Sequence, residues 1–275
     1  MFSATLLSLV VGIIPPAWHT SYDDAYERAV KEKKDLVIHF RNDDKMDEVL
    51  NSKEVQKRLR NYVLLRVPTS YEYKGKRLLS YDAFEDMSGT SGLAVASLHD
   101  DKLPSHNKLI SAHPFVGSRY SWAPDYGTRE VKLILDLPSE ATITQRSMIY
   151  AISVHPERPR SIEGRGHWAF LGHAERHSAR QASMHNQHHA DLIGAIGRMG
   201  GEMGVGLGNG SEVVAESWGN FVGGENVLEA SFSCVDAWRH SPGHWGAVSR
   251  LHTYFGYDIA RGSNGTWYAT GIFAD

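Results

Sequence analysis

Histidine is concentrated in the second half of this chain, where its spacing is suited to metal binding. Ten of the fifteen histidines lie in the last 125 residues. His185 and His189 are four residues apart, so a helix would place both imidazoles on one face, as in several zinc sites. His244 follows Ser-Pro-Gly, which predicts a turn, and Glu216 lies in a short strand-like run. Each group is either a cation ligand or a hydrogen-bonded part of a polar core.

Two other features argue against particular chemistries. Six glycines lie between Gly200 and Gly210, but they lack the strand-loop-helix context and the Lys-Ser or Lys-Thr pair of a nucleotide-binding loop. Cys234 is the only cysteine, which excludes an internal disulfide. Its apolar neighbours, including Phe232 and Val235, predict a buried structural thiol rather than a nucleophile.

The composition is typical of a soluble globular protein with two domains. The 275 residues exceed one typical domain and are too few for three. Hydrophobic residues make up 41% of the chain and charged residues 22%, with a formal net charge of -3. This composition is sufficient for sizeable cores and indicates no nucleic-acid partner.

The N-terminal stretch from Met1 to Ile14 is apolar but too short to span a bilayer as a standard helix. We interpret residues 1–17 as a signal peptide, which predicts a secreted or periplasmic protein without a stable membrane span after cleavage. No Lys or Arg precedes the apolar core, and Pro15-Pro16-Ala17 is a poor cleavage site. The alternative is that this stretch forms a first buried strand.

The first half alternates helices with buried strands. Apolar residues spaced by three and four after Ser21 predict a helix that begins with Asp23-Asp24. The apolar run Leu36–Phe40 predicts a central strand covered on both faces. A second helix over Val49–Leu59 leads to another buried strand, Tyr62–Val67. Helix, strand, helix and strand in this order predict a parallel crossover unit.

This order of elements over residues 18–140 resembles the thioredoxin-like fold. Active members of that fold carry a Cys-x-x-Cys pair at the start of the helix after the first long strand. The corresponding stretch here, Arg41–Asp47, has no cysteine, and Ser91-Gly92 stands where the family has a proline facing the site. Disulfide exchange is therefore excluded, and we expect a scaffold or interaction module.

A change in composition separates the two halves. Residues 141–165 predict an irregular connector with several prolines and arginines, interrupted by a short helix over Gln145–Ile152. Residues 166–275 form the second predicted domain. Its predicted elements are a helix from Ala169 to Gln187, a strand from Val213 to Trp218, a helix capped by Asn226 that runs through Trp238, and a hairpin turning at Asn264-Gly265.

Four ordered motifs in the second half resemble the CAP superfamily. They read Ala-Glu-Ser-Trp-Gly, Trp-x-x-Ser-Pro-Gly-His-Trp, Phe-Gly-x-x-x-Ala and Asn-Gly-x-Trp-Tyr-x-Thr-x-x-Phe-Ala. This family comprises the cysteine-rich secretory, antigen 5 and pathogenesis-related proteins and is also called the SCP domain; the resemblance is to its disulfide-free bacterial branch. It implies an α/β fold in which a CAP-like α-β-α sandwich follows the thioredoxin-like domain.

The resemblance also implies a central cleft that holds zinc or another divalent cation. Carried over to this chain, its ligands are His244, Glu216 and either His188 or His189. Two departures shorten the set: Ser217 replaces the Asn after the strand glutamate, and the second glutamate of eukaryotic members has no counterpart near Arg239. A His-Glu-His set remains.

These expectations lead to two main functional hypotheses. The first is an exported binding protein that acts at the cell envelope on a glycan, lipid or protein partner. The second is a metal-dependent hydrolase that uses a water activated in the same cleft. A third reading treats the His and Glu side chains as a purely structural polar core.

Overall fold

The computed structural model describes residues 16–217 and 225–275. In these residues the chain is a mixed α/β protein with two main sheets and helices packed on them. Residues 1–15, which carry most of the predicted signal peptide, and Trp218 lie outside the described residues. No helix within the described ranges is long and apolar enough to cross a membrane.

The first half contains the predicted helices and strands, with one break. Its elements are β1 (Trp18–His19), α1 (Tyr22–Glu32), β2 (Leu36–Arg41), α2 (Asp47–Asn51), α3 (Lys53–Leu59), β3 (Val63–Pro68), β4 (Glu72–Tyr73), β5 (Lys76–Arg77), β6 (Gly92–Ala96), β7 (Leu109–Pro114) and α4 (Thr128–Asp136). The predicted second helix is interrupted at Ser52, whose backbone is extended and whose hydroxyl donates to the Val49 carbonyl (2.8 Å). This local hydrogen bond ends α2 before α3 begins.

The first sheet has the strand order β1-β3-β2-β6-β7. β1, β3 and β2 are parallel, whereas β6 and β7 are antiparallel additions at one edge. The predicted parallel crossover from β2 to β3 is confirmed. Leu36 and Ile38 pack with α1 on one face, and Val37 packs with α3 and α4 on the other. Burial on both faces explains why β2 is apolar apart from His39 and the terminal Arg41.

The second half forms a smaller sheet between two helical layers. Its elements are α5 (Ile143–Val154), β8 (Arg165–Gly166), α6 (Trp168–Met184), α7 (Leu192–Met203), β9 (Gly210–Glu216), α8 (Val227–Arg239), α9 (Pro242–Ser249), β10 (Tyr254–Arg261) and β11 (Trp267–Ala274). The sheet has the order β8-β10-β11-β9. α6 and α7 pack on one face, and α5, α8 and α9 share the core of the other.

Glycine is required where α6 approaches this sheet. A Cβ on Gly256 of β10 would clash with the backbone carbonyl of Phe170 in α6. The helix and strand therefore lie closer than any side chain at residue 256 would permit.

Two local predictions for the second half are confirmed. The chain forms a hairpin at Asn264-Gly265, which joins β10 to β11. Asn226 caps α8, because its side chain accepts a hydrogen bond from the Glu229 N–H (2.9 Å).

Three local expectations for the second half are wrong. α6 ends at Met184 because His185 adopts a left-handed backbone (φ 49°), so His185 and His189 do not share a helix face. Nε2 of His185 instead lies 2.8 Å from the Ser263 hydroxyl oxygen. His244 lies inside α9, which begins at Pro242, and not in a turn. The predicted glycine-rich loop is partly helical, since α7 extends through Gly200 and Gly201.

A buried arginine of α5 connects the two halves. Arg146 is 1% exposed. Its Nε donates to the Ser111 hydroxyl of β7 (2.8 Å), and its Nη atoms donate to the carbonyls of Ile134, Leu137 and Pro138 at 2.9–3.0 Å. These carbonyls lie at the end of α4, where the helix leaves carbonyl groups without partners. Arg146 thereby ties α5, which packs on the second sheet, to two elements of the first half.

We expect Arg146→Met to destabilise the protein by roughly 3 kcal/mol or more, because it leaves three carbonyls and one hydroxyl without donors in a buried site. Denaturant unfolding of the purified variant measures this loss. Arg250→Met, at an exposed arginine, is the matched control. A loss below about 1 kcal/mol in Arg146→Met would show that water replaces the guanidinium there.

A buried carboxyl group in β10 predicts a pH dependence of stability. Asp258 is 2% exposed and accepts hydrogen bonds from Thr144 (2.6 Å) and Ser178. Burial raises the pKa of Asp258 to about 7, against the opposing effect of these two hydroxyls. The folded state therefore binds this proton at a pH where the unfolded state, with a pKa of about 4, has lost it. The contribution of Asp258 to stability is complete below about pH 4 and is lost as pH rises through about 7.

We expect Asp258→Asn to remove this contribution. The unfolding free energy of the wild type relative to the variant should fall by a few kcal/mol between pH 4 and pH 8, at about 1.4 kcal/mol for each unit of pKa shift. Denaturant titrations at several pH values test this, with the exposed Asp101→Asn as control. A constant difference between wild type and Asp258→Asn across that range would contradict the assignment.

Candidate functional site

The helix α6 presents a row of polar side chains on one face. His173 and His177 are four residues apart and both are buried. Arg176 and Arg180 flank them at the exposed edge of the same helix. Such spacing places all four side chains along one side of a helix. The row ends at the left-handed residue after Met184, where the chain turns away from the helix axis.

Glu212 of β9 faces this row. Its side chain is 2% exposed, and its carboxylate lies 4.0 Å from His173 Nε2 and 3.8 Å from His177 Nε2. The other carboxylate oxygen accepts hydrogen bonds from His189 Nδ1 (3.0 Å) and from the Ala190 backbone N–H (2.8 Å). Glu212 thus lies at the centre of three imidazoles.

The segment after α6 is held against the helix by Gln181. The fully buried Gln181 side chain accepts from the His188 backbone N–H (3.2 Å) and donates to the Thr270 hydroxyl of β11 (2.9 Å). The carbonyl of His188 accepts from His177 Nε2 (2.9 Å). These contacts position the backbone of residues 188–190, and through it the His189 ring.

The hydrogen bonds fix the charge of Glu212 and the protonation of two imidazoles. Burial acts to raise the pKa of Glu212, but the His173 ring, the Ala190 N–H and the other imidazoles lower it below its ordinary value. The carboxylate is therefore an anion that accepts from His189 Nδ1–H. A carbonyl only accepts, so His177 carries its proton on Nε2. Burial lowers the pKa of His177 and keeps that ring neutral at neutral pH.

His189 and His244 are the two predicted ligands that the structure brings together. Their ring centres are 5.7 Å apart. Because Nδ1 of His189 donates to Glu212, Nε2 is the ring nitrogen left to bind a cation. Partial burial and the nearby His189 ring lower the pKa of His244, so the His244 imidazole is neutral at neutral pH.

The other two predicted ligands lie apart from this pair. The His188 ring packs edge-on against His177, with 5.0 Å between ring centres, and its Nδ1 lies 3.1 Å from the Asn186 carbonyl. Glu216 is half-buried at the end of β9, opposite Tyr268 of β11. Residues four apart in a strand are separated by about 13 Å. Glu216 therefore lies far along the strand from Glu212, which binds His189.

The arrangement does not contain a ready three-ligand metal site. Across residues 16–217 and 225–275, no three His, Cys, Asp or Glu side chains form a group that could hold a metal ion. The cluster of His173, His177 and Glu212 fails for a chemical reason, since His177 Nε2 is protonated and donates to a carbonyl. The ring centres of His189 and His244 are 5.7 Å apart, which is close to the roughly 5 Å between two imidazoles bound to one tetrahedral ion.

Three residues of this site were not among the predicted ligands: His173, His177 and Glu212. The helical spacing of His173 and His177 was visible in the sequence, inside a helix that was predicted. Glu212 shares a strand face with Glu216 by the alternation of side chains in a strand, so it was equally available as a candidate. Its role depends on the turn after α6, which no sequence pattern indicated.

Comparison of the chain with protein-family models, with curated proteins and with solved structures finds no match.

We expect Glu212→Gln to lower the unfolding free energy by about 1–3 kcal/mol, because it removes the anion that accepts from His189 and Ala190. Glu216→Gln makes the same chemical change on the same face of β9 at a half-buried position, and we expect a loss below about 0.5 kcal/mol. Chemical denaturation at pH 7 measures both. Equal losses of unfolding free energy in the two variants would show that the imidazoles around Glu212 make no specific contribution to stability.

Proposed function

We propose that the chain joins a redox-inactive thioredoxin-like first half to a CAP-like second half. The strand order of the first sheet, with parallel β1, β3 and β2 and antiparallel β6 and β7, supports the first assignment. The layers α6 and α7, sheet, and α5, α8 and α9 support the second. The close packing of Gly256 on α6 gives a physical reason for the Phe-Gly motif on which the resemblance depends.

Within this proposal the first half is a scaffold or interaction domain. The single cysteine of the chain, Cys234, lies in α8 of the second half and is fully buried. Burial raises its pKa well above the ordinary range, so the thiol is neither ionised nor accessible at neutral pH. The chain therefore has no thiol suited to disulfide exchange.

We propose that the second half is a binding protein that holds a divalent cation, with zinc as the first candidate, between His189 and His244. The observation that carries this proposal is the orientation of His189. Glu212 accepts from its Nδ1–H and thereby presents Nε2 on the side of the ring away from the carboxylate. A carboxylate that orients a metal-binding histidine in this way is a recurrent device in metal sites.

The two imidazoles leave further coordination positions open. A bound cation would supply an attachment point for an oxygen-bearing ligand, which suits a glycan, lipid or protein partner at the cell envelope. The CAP resemblance implies Glu216 as a further ligand, but this carboxylate lies apart from the pair, so the proposal uses the two imidazoles alone. The apolar stretch at the N-terminus supports a secreted or periplasmic location.

Zinc titration by calorimetry tests the proposal. We expect one site per chain in the wild type and at least tenfold weaker binding in His189→Ala and in His244→Ala, because each removes one of two imidazole ligands. Glu212→Gln should weaken binding about tenfold, since loss of an orienting partner lowers metal affinity 10–100-fold. Binding should also weaken as pH falls and the imidazoles become protonated.

His240→Ala is the matched control. His240 is exposed at the end of α8, and its ring lies 2.8 Å from the carbonyl of Asp236 in the same helix. Its removal should leave zinc affinity unchanged. Absence of stoichiometric zinc binding by the folded wild type would overturn the cation proposal, and equal weakening in His240→Ala would assign binding to surface histidines.

A further inference from the structure

A polar pocket of about 510 Å³ lies on the outer side of the imidazole cluster. Side chains of α6, of the turn after it and of α7 form its wall. Apart from Ala190, the lining residues are all polar or charged: His173, Arg176, His177, Arg180, His188, His189, Asp191 and Arg198. A pocket with this lining favours a small polar ligand over an apolar one.

The pocket has an excess of positive charge that the protein does not neutralise. Arg176, Arg180 and Arg198 converge on it from two helices. Among the described residues, none of the three guanidinium groups has an ion pair or hydrogen bond. Elsewhere in the chain, arginines such as the half-buried Arg58 and the exposed Arg160 do pair with carboxylates. Unpaired arginines gathered in a concave site are typical of anion recognition.

The two carboxylates near the pocket do not cancel this charge. Asp191 caps α7 by accepting from the Gly194 N–H (3.1 Å), and it supplies one negative charge against three arginines. Glu212 is enclosed behind His173 and His177, and its charge is already engaged by His189 and Ala190. The arginines thus remain in excess by at least one charge.

A buried polar atom without a hydrogen-bond partner also lines the pocket. The side chain of His173 is only 10% exposed, and among the described residues its Nε2 makes no hydrogen bond, since it lies 4.0 Å from the Glu212 carboxylate. His188 Nε2, in the ring that packs edge-on against His177, is likewise buried and without a hydrogen-bond partner among the described residues. Buried polar atoms without partners are uncommon and indicate a ligand or solvent that completes them.

We propose that this pocket binds a small phosphate-bearing molecule. Arg176, Arg180 and Arg198 supply the charged donors for its oxygens, and His173 Nε2 supplies a further donor at the base. The proposal does not depend on the cation between His189 and His244, because none of its arginines or His173 belongs to that pair.

Calorimetric titration with inorganic phosphate and with pyrophosphate, at fixed ionic strength, tests the proposal. The protein is first freed of metal with a chelator that is then removed, so the result does not depend on a bound cation. We expect saturable binding by the wild type. The double variant Arg176→Gln/Arg180→Gln should bind at least tenfold more weakly, because each lost charge-assisted hydrogen bond weakens affinity by about tenfold or more.

The control is Arg60→Gln/Arg250→Gln, which removes the same two charges from exposed arginines that have no ion pair among the described residues. It should retain wild-type affinity within twofold. Absence of saturable phosphate binding, or equal weakening in both double variants, would overturn the proposal.

The phosphate group could belong to a small molecule or to a lipid headgroup. Sedimentation with phosphatidic acid vesicles and with phosphatidylcholine vesicles distinguishes these two sources. Saturable binding of soluble phosphate without co-sedimentation supports the small-molecule ligand. Co-sedimentation with phosphatidic acid alone, without binding of soluble phosphate, would contradict it and assign the arginines to a lipid headgroup.

Discussion

The arrangement of the two halves depends on the buried guanidinium of Arg146. Removal of an arginine from water is unfavourable, and burial lowers the pKa of Arg146 to about 10, which still leaves it charged at neutral pH. Within the described ranges no carboxylate contacts this charge directly; the guanidinium donates to one hydroxyl and three carbonyls. Because all four acceptors belong to the first half and Arg146 belongs to α5, the hydrogen bonds form only when α5 lies between the two sheets.

α5 in turn positions the strands and helices of the second half that pack against it. Its side chains share a core with β9, α8 and β10, and Thr144 donates to Asp258 of β10. Asp258 also accepts from Ser178 of α6. A polar chain therefore runs from the helix that carries Arg146, through the second sheet, to the helix that carries His173 and His177. A buried polar contact is favourable only in one register, which fixes α6 along the sheet more strictly than apolar packing would.

Much of the fold follows from local sequence patterns, whereas the site does not. The run Leu36–Phe40 predicted β2 because a strand buried on both faces is mainly apolar, and His39 is the only polar residue of the run. Asn226 and Asn264-Gly265 predicted a cap and a hairpin because their chemistry is local. The end of α6 was missed because histidine rarely adopts a left-handed backbone, and α7 was missed because its glycines disfavour a helix in isolation. Both errors misplaced the residues around Glu212, whose partners come from separate elements.

Glu212 gives the two proposed sites a shared element. On one side it orients His189 towards His244, and on the other it stands behind the imidazoles that line the arginine pocket. His189 lines the arginine pocket and is also one of the two proposed cation ligands. A cation on His189 would add positive charge at the edge of the pocket, and an anion in the pocket would favour that cation by the same free energy. Screening by salt would weaken this coupling, since His189 is more than half exposed. The enclosed carboxylate thus acts mainly by orientation: it fixes which nitrogen of His189 is free, and so where a cation can bind relative to the arginines.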